Sequence, residues 1–319
     1  MAKLKLQKMG KLMENYLHFN DWLKQKFGER TLKICIDGGF TCPNRDGTCG
    51  FGGCIFCGER GAGENTKNIK ISEQVINHLN SYKGLRANKF IAYFQNFTNT
   101  YADLQTLKQR YDSALLDDRI VALAVATRPD CINEGVAKLL TQYMPKYYVY
   151  VELGLQTASE EIGRILNRGY ETRQFIDAVK LLKKYGIDVV VHIMVGLPNE
   201  TEQSINETID LINSLNVMGI KIHSTYVIKD TKLEKMYNSG EYFPISLEDY
   251  VKRVGNIISR LNSNSVVCRI SGDAPKNLLV APEWNLHKKI IINSVNKYLL
   301  ENNLIQGHGQ SGINKVNLN

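Results

Sequence analysis

The stretch "CPNRDGTCGFGGCIFCGERGAGE" begins at Cys42 and sets four thiols, Cys42, Cys49, Cys54 and Cys57, within sixteen residues of a chain that has seven cysteines in all. Clustered thiols can pair as disulfides, close a tetrahedral site around zinc, or ligate an iron–sulfur cluster. A structural zinc would use all four. Their spacings of six, four and two intervening residues form a single knuckle, the last Cys-x-x-Cys. A cluster held by three thiolates leaves one iron open to a small molecule, which makes it a chemical centre.

The rest of the chain weighs on that choice. Met1 to Met13 alternates Lys with Leu or Met and has no apolar h-region, so export is not expected. Apolar runs such as "VVV" and "IMV" around His192 fall far short of the roughly 18 residues of a membrane span. The expectation is a soluble, cytoplasmic protein with no membrane partner, and a reducing cytoplasm disfavours disulfides. Lys and Arg number 40 against 32 Asp and Glu, a net charge of +8 that suits a polyanionic partner. These basic residues are spread along the chain and do not form a block.

A chemical centre needs a scaffold, and 319 residues with 43% hydrophobic content can bury a large core. From Thr31 short β-branched runs alternate with amphipathic stretches. The pattern predicts strands near Leu32–Asp37, Lys89–Gln95, Ile120–Thr127, Tyr147–Gln156, Asp188–Gly196 and Ile220–Val227. Helices are expected at Ser72–Lys83, Asp103–Leu116, Asn133–Gln142, Ser159–Leu166, Arg173–Tyr185 and Glu202–Leu215. Six βα units make a parallel sheet that either closes toward a barrel or winds doubly, and spacing alone leaves both open. The remainder reads as an appendage with a helix at Ser246–Leu261, a strand at Val266–Ile270 and a helix at Leu286–Leu300. Three segments follow: an N-terminal extension 1–30, a core 31–230 and a C-terminal appendage 231–319.

Side chains alternate faces along a strand. Glu152, Gly154 and Gln156 share one face of the fourth strand; His192, Met194 and Gly196 share one of the fifth; Lys221, His223 and Thr225 share one of the sixth, opposite Ile220, Ile222, Ser224 and Tyr226. Polar residues repeated on one face of three strands suit a ligand-filled lumen. Lys221 and His223 are the candidates for orienting a substrate or moving a proton.

The C-x11-C-x2-C of Cys42, Cys54 and Cys57, following a first strand, resembles the cluster motif of radical S-adenosylmethionine (SAM) enzymes. "IDGGFTCPNRDGT", "YFQNFTNTY", "ATRPDCINE", "VELGLQTASEEIGRILNRGY", "HIMVGLPNET", "KIHSTYVIKDTKLEKMY" and "CRISGDAPKNLLVAPEW" occur in order. Together they resemble the YhcC/YtqA-type branch, which is related to the elongator catalytic subunit and to oxygen-independent coproporphyrinogen oxidase. The resemblance runs from about Lys33 to Gly307. It implies an α/β fold, a partial (βα)6 TIM-like barrel with a small C-terminal α/β appendage over part of its mouth.

It also implies residue roles. Cys42, Cys54 and Cys57 would ligate three irons of a 4Fe–4S cluster, and SAM's amino and carboxylate groups the fourth. Phe56 would pack beside the adenine. Gln95, Asn96 and Thr98 stand where the superfamily carries a glycine-rich strand end that meets the methionyl amine. Glu152 and Gln156 belong to the SAM-facing strand, Gln156 and Arg168 would meet SAM's polar groups, and the Arg168 guanidinium can fork onto a carboxylate. His192 would bond a ribose hydroxyl, and Gly196 would let backbone approach the adenosine. Cys49, Cys35, Cys131 and Cys268 lie outside the pattern and read as small hydrophobes.

The chemistry implied is one-electron cleavage of SAM and hydrogen abstraction from a substrate, fed by an electron donor such as flavodoxin or ferredoxin. Relatives of this branch act on RNA nucleosides, so the implied partner is tRNA. One such reaction would convert a carboxymethylaminomethyl group on the wobble uridine to aminomethyl. A small-molecule substrate is the alternative within the same chemistry. A zinc-stabilised RNA-binding module that uses Cys49 is the non-enzymatic one.

Overall fold

The computed structural model describes residues 15–61, 63, 66 and 69–310; the Met1–Met13 stretch lies outside them. The strands are β1 (Thr31–Ile36), β2 (Lys89–Phe94), β3 (Ile120–Thr127), β4 (Tyr148–Gln156), β5 (Asp188–Val195) and β6 (Gly219–Ser224); a two-residue β7 (Val227–Ile228) leaves the sheet and β8 (Val266–Arg269) returns to it. The order β1-β2-β3-β4-β5-β6-β8 is parallel throughout, a seven-stranded half-barrel. β7 instead pairs antiparallel with β9 (Leu279–Ala281).

The helices are α1 (Phe19–Phe27), α2 (Ile71–Leu79), α3 (Leu104–Asp112), α4 (Glu134–Thr141), α5 (Glu160–Ile165), α6 (Thr172–Lys184), α7 (Glu202–Leu215), α8 (Lys232–Asn238), α9 (Leu247–Arg260) and α10 (Lys288–Glu301). Their starts follow capping chemistry. Asp103 accepts from Thr106 N at 2.9 Å, Ser246 from Asp249 N at 3.0 Å, and Thr201 with Ser204 closes a reciprocal box at the head of α7.

Strand alternation builds two cores. Ile34, Ile36, Phe90, Phe94, Leu123, Val151 and Val191 point outward under the helices, joined by Val75, Leu107, Phe175 and Ile209. Each such side chain contributes about 1.5–3 kcal/mol by leaving water. Ile91, Tyr93, Ala122, Ala124, Tyr150 and Val190 point inward, where Leu23, Trp22 and Phe27 of α1 pack against them. Small alanines on β3 leave room for the aromatic rings of its neighbours.

Two expected boundaries shift. The N-terminal extension is part of the barrel: α1 stops its lower end, and Val267 N donates to Leu17 O at 2.9 Å. The strand placed in the appendage, β8, is the barrel's seventh, with Gly219 opposite Val266 and Ile220 opposite Val267. Its Val266 and Val267 are buried, so the sheet gains apolar contact as well as backbone bonds by taking them in.

Candidate active site

A cavity of about 340 Å³ occupies the carboxyl ends of the strands. Cys42, Cys54 and Cys57 face it together with Phe56, Gln95, Thr98, Glu152, Gln156, His192, Lys221 and His223.

The cysteine loop is held by its own polar groups. Arg45 donates through Nη1 to Glu59 O at 2.8 Å and through Nη2 to Cys57 O at 3.2 Å and Gly58 O. Asn44 Nδ2 donates to Asn167 O at 2.6 Å and lies 3.7 Å from Cys54 Sγ, while Asn167 Nδ2 donates to Gly53 O at 2.8 Å. A side chain at Gly169, where φ is +75°, would meet Asn44 Oδ1 at 2.9 Å, so glycine is required twice over. Burial, reinforced by the neighbouring Cys57 and Cys42, pushes the Cys54 thiol up to about 12. A cationic group bound among these thiols would reverse that. Cys49 stands outside the cavity, exposed, 3.9 Å from Asp130 Oδ2.

On the lumen floor lies a buried charge node. Glu152, 1% exposed, receives Lys33 Nζ at 2.7 Å and Lys221 Nζ, and meets His192 Nε2 at 2.8 Å. Lys221 Nζ also donates to Tyr93 OH at 3.1 Å. Burial alone would raise the Glu152 carboxyl, but Lys221 and Lys33 hold it well below the usual range. One carboxylate cannot offset two buried ammoniums. Lys33 keeps its proton, its pKa raised by Glu152 against the opposing effect of burial. Lys221 falls to about 7 through burial, with Lys33 and Arg269 adding to it. Burial and Lys221 bring His192 down to about 4, and burial with His192 holds His223 well below 6.5, so both imidazoles are neutral at pH 7.

Three residues given SAM contacts lie elsewhere. Arg168, 1% exposed, is absent from the cavity wall; it donates to Leu155 O at 3.0 Å, Thr157 O at 2.7 Å, Tyr170 O at 3.1 Å and Thr172 Oγ1 at 3.2 Å, and pairs with Glu160 at 3.4 Å. Its donors are spent on the bend after β4, which leaves none for a carboxylate. Asn96 turns outward and donates to Asp37 Oδ2 and Thr66 Oγ1 at 2.9 and 2.8 Å. Gly196 donates to Glu200 Oε2 at 2.8 Å and accepts from Tyr242 OH at 2.7 Å, so it faces the C-terminal segment.

Face alternation also fails past Ser224, where β6 ends. Thr225 N donates back to Val195 O at 2.9 Å, which turns Tyr226 into the cavity and buries Thr225. Cavity residues that sequence reasoning missed are Cys35, Tyr93, Arg128, Tyr170, Arg269 and Asp273. Parity would have found Cys35 and Tyr93, which share their strands' inward faces with Lys33 and Gln95. Arg128 lies in the quoted "ATRPD" and pairs with Asp130 at 2.7 Å. Gln156 is left-handed, φ +62°, at a register break in β4, with its amide oxygen accepting from Tyr170 OH at 2.9 Å. A non-glycine residue there carries strain of a kind concentrated at functional sites.

A half-barrel with three loop thiols at its mouth and a polar lumen defines a class, and sequence comparison agrees: the chain belongs to the radical SAM superfamily, whose model matches residues 45–212, followed by a Radical_SAM C-terminal domain at 217–301. It is 36% identical over 299 residues to YtqA of Bacillus subtilis (strain 168), covering 92% of each chain, and 35% identical over 296 residues to YhcC of Escherichia coli (strain K12), covering 92% of this chain and 93% of that one. Among solved structures, the archaeal Methanocaldococcus infernus Elp3 with an N-terminal deletion shares the fold at a TM-score of 0.65 and 20% identity, over 86% of this chain and 64% of that one.

The cofactors of this superfamily are a 4Fe–4S cluster and SAM. The cavity fits them. Three thiols line it, and so do Thr98 and His223, whose buried Oγ1 and Nε2 atoms have no hydrogen-bond partner. Among the described residues no three His, Cys, Asp or Glu side chains converge tightly enough for a single metal ion. No described helix is long and apolar enough to cross a membrane.

Proposed function

We propose that this radical SAM enzyme acts on tRNA, taking hydrogen from the methylene beside the carboxylate of a wobble uridine's carboxymethylaminomethyl group; return of one further electron to the oxidised cluster and hydrolysis of the resulting imine would release glyoxylate and leave aminomethyl. The supporting observation is the charge balance of the lumen floor. Glu152 is shared by Lys33 and Lys221; Asp273 is shared by Arg269 at 2.9 Å and Lys288 at 2.7 Å. With Lys221 protonated, each carboxylate is outnumbered by its cations, so the cavity, which Lys221 and Arg269 line, has positive charge to offer an entering carboxylate. A cavity of about 340 Å³ excludes a folded RNA, so a target base would have to enter it flipped out of its strand. The net charge of +8 suits the phosphate backbone outside.

Cys42, Cys54 and Cys57 would hold the cluster, with SAM at its open iron. When bound, they supply one-electron cleavage of the sulfonium and a carbon radical able to break an unactivated C–H bond. The chain positions and shields. Phe56 offers a ring face for the adenine, Gln95 and Thr98 offer polar groups to the methionyl end, and Gln156 and His192 offer hydrogen bonds to the remainder. Arg269 and Lys221 fix the substrate's anionic end. Lys221, with its pKa of about 7, can give or take a proton as the side chain fragments.

The test is 5′-deoxyadenosine formed from SAM by anaerobically reconstituted, dithionite-reduced protein, with and without bulk tRNA, followed by nucleoside analysis of that tRNA. A tRNA-dependent rise with new aminomethyluridine supports the reading. Formation indifferent to tRNA overturns the substrate and points to a small molecule.

A further inference from the structure

Cys35 is the next-to-last residue of β1, and its outward neighbours Ile34 and Ile36 are fully buried in the outer core. Cys35 itself faces inward beside Lys33, opposite Tyr93 in the β1–β2 register. It opens onto the same cavity as Cys42, Cys54 and Cys57. Cys49, Cys131 and Cys268 do not. The space in front of it is a ligand space, lined also by Thr98 and His223, whose buried Oγ1 and Nε2 atoms have no hydrogen-bond partner.

Cys35 is exposed to that open cavity, and partial desolvation inside the lumen raises its thiol above its ordinary value, so it keeps its proton and is a poor nucleophile. What a neutral thiol does well is give up a hydrogen atom. An S–H bond is weaker than an aliphatic C–H bond, so transfer to a carbon radical runs downhill.

We propose that Cys35 is a hydrogen-atom donor to carbon-centred radicals formed in the cavity. The S–H bond breaks homolytically, a C–H bond forms, and a thiyl remains on Cys35. That thiyl is reduced by one electron from a low-potential one-electron donor of the class that feeds the cluster. It takes a proton from Lys221, which regains one from water. Lys221 leads toward Cys35 by way of Tyr93, which stands opposite Cys35 in the register and whose hydroxyl accepts from Lys221 Nζ at 3.1 Å. The inference rests on the radical chemistry of the proposed function and is independent of tRNA as substrate.

The test uses the reconstituted holoenzyme with SAM and dithionite in D2O, without tRNA, where the exchangeable thiol carries deuterium. Mass spectrometry of the product should find singly deuterated 5′-deoxyadenosine from the wild type and loss of that label, per deoxyadenosine formed, in Cys35→Ser, with Cys35→Ala as the second variant should the first misfold. Independently of turnover, organomercurial titration of the folded, cluster-free protein should modify Cys35 and spare Cys268. Unlabelled product from the wild type, label surviving in both variants, or a Cys35 as inaccessible as Cys268 each overturns the proposal. Deuterated product together with tRNA-indifferent yield would remove the tRNA reading alone; unlabelled product with a tRNA-dependent rise would remove this one alone.

Discussion

Asn44 and Asn167 clasp each other's loops: Asn44 Nδ2 donates to Asn167 O at 2.6 Å, and Asn167 Nδ2 returns a bond to Gly53 O at 2.8 Å. The loop that carries Cys42, Cys54 and Cys57 is thereby fastened to the segment after β4. Asn167 is left-handed, φ +52°, so Asn167→Gly removes the amide without straining the backbone. The expected cost is about 1 kcal/mol per bond lost, felt at the loop. Iron should leave the reconstituted variant faster under a chelator, with little change in the melting temperature of the iron-free protein.

The thiols divide by position. Cys54→Ala should abolish stable iron loading, because Cys54 stands half-buried at the cavity wall. Cys49→Ala should leave iron content unchanged, because Cys49 is exposed outside it. Iron and sulfide analysis after anaerobic reconstitution checks both. Equal loss in both variants would restore the four-ligand alternative.

Arg168→Met should act on folding. It strips donors from Leu155 O, Thr157 O and Tyr170 O inside the protein. Leaving such acceptors unpaired costs about 1–3 kcal/mol each. Urea unfolding should show a midpoint lowered by a total of about 3 kcal/mol or more in stability.

Much of this was legible beforehand. Six strands and their crossover helices follow from β-branched runs and amphipathic spacing, and parity gives the inward places of Glu152, Gly154, Gln156, His192, Lys221 and His223 but not those of Met194, Gly196 and Thr225. Arg168 was misplaced because a sequence cannot show that three carbonyls converge at the bend after β4. The role of α1 was hidden for a related reason: "FNDWLKQKF" has the pattern of any surface helix, and only a closed sheet creates the hole it fills. Tyr226 was given the wrong face because a strand's end is set by a tertiary bond, Thr225 N to Val195 O.

Two buried groups give stability opposite slopes with pH. Burial raises Glu200 to about 7 from 4.5, so between those values the folded chain holds a proton the unfolded chain has lost, and stability falls as pH rises. Burial lowers Lys221 to about 7 from 10.5, so above pH 7 the unfolded chain holds the extra proton and stability rises with pH. Each slope is bounded by about 1.4 kcal/mol per pH unit. Melting temperatures should show the first slope reduced in Glu200→Gln and the second reduced in Lys221→Met.

α1 closes the lower end of the lumen with Trp22, Leu23 and Phe27, yet it belongs to neither the sheet nor its crossovers. Withdrawing it would surrender its apolar contact together with the bond that Lys89 Nζ donates to Phe27 O at 2.6 Å. The reaction chamber therefore has a bung in place of a floor. Water reaching the radical centre from beneath is kept out by a single nine-residue helix, and a chain cut back past it would leave the vessel open at both ends.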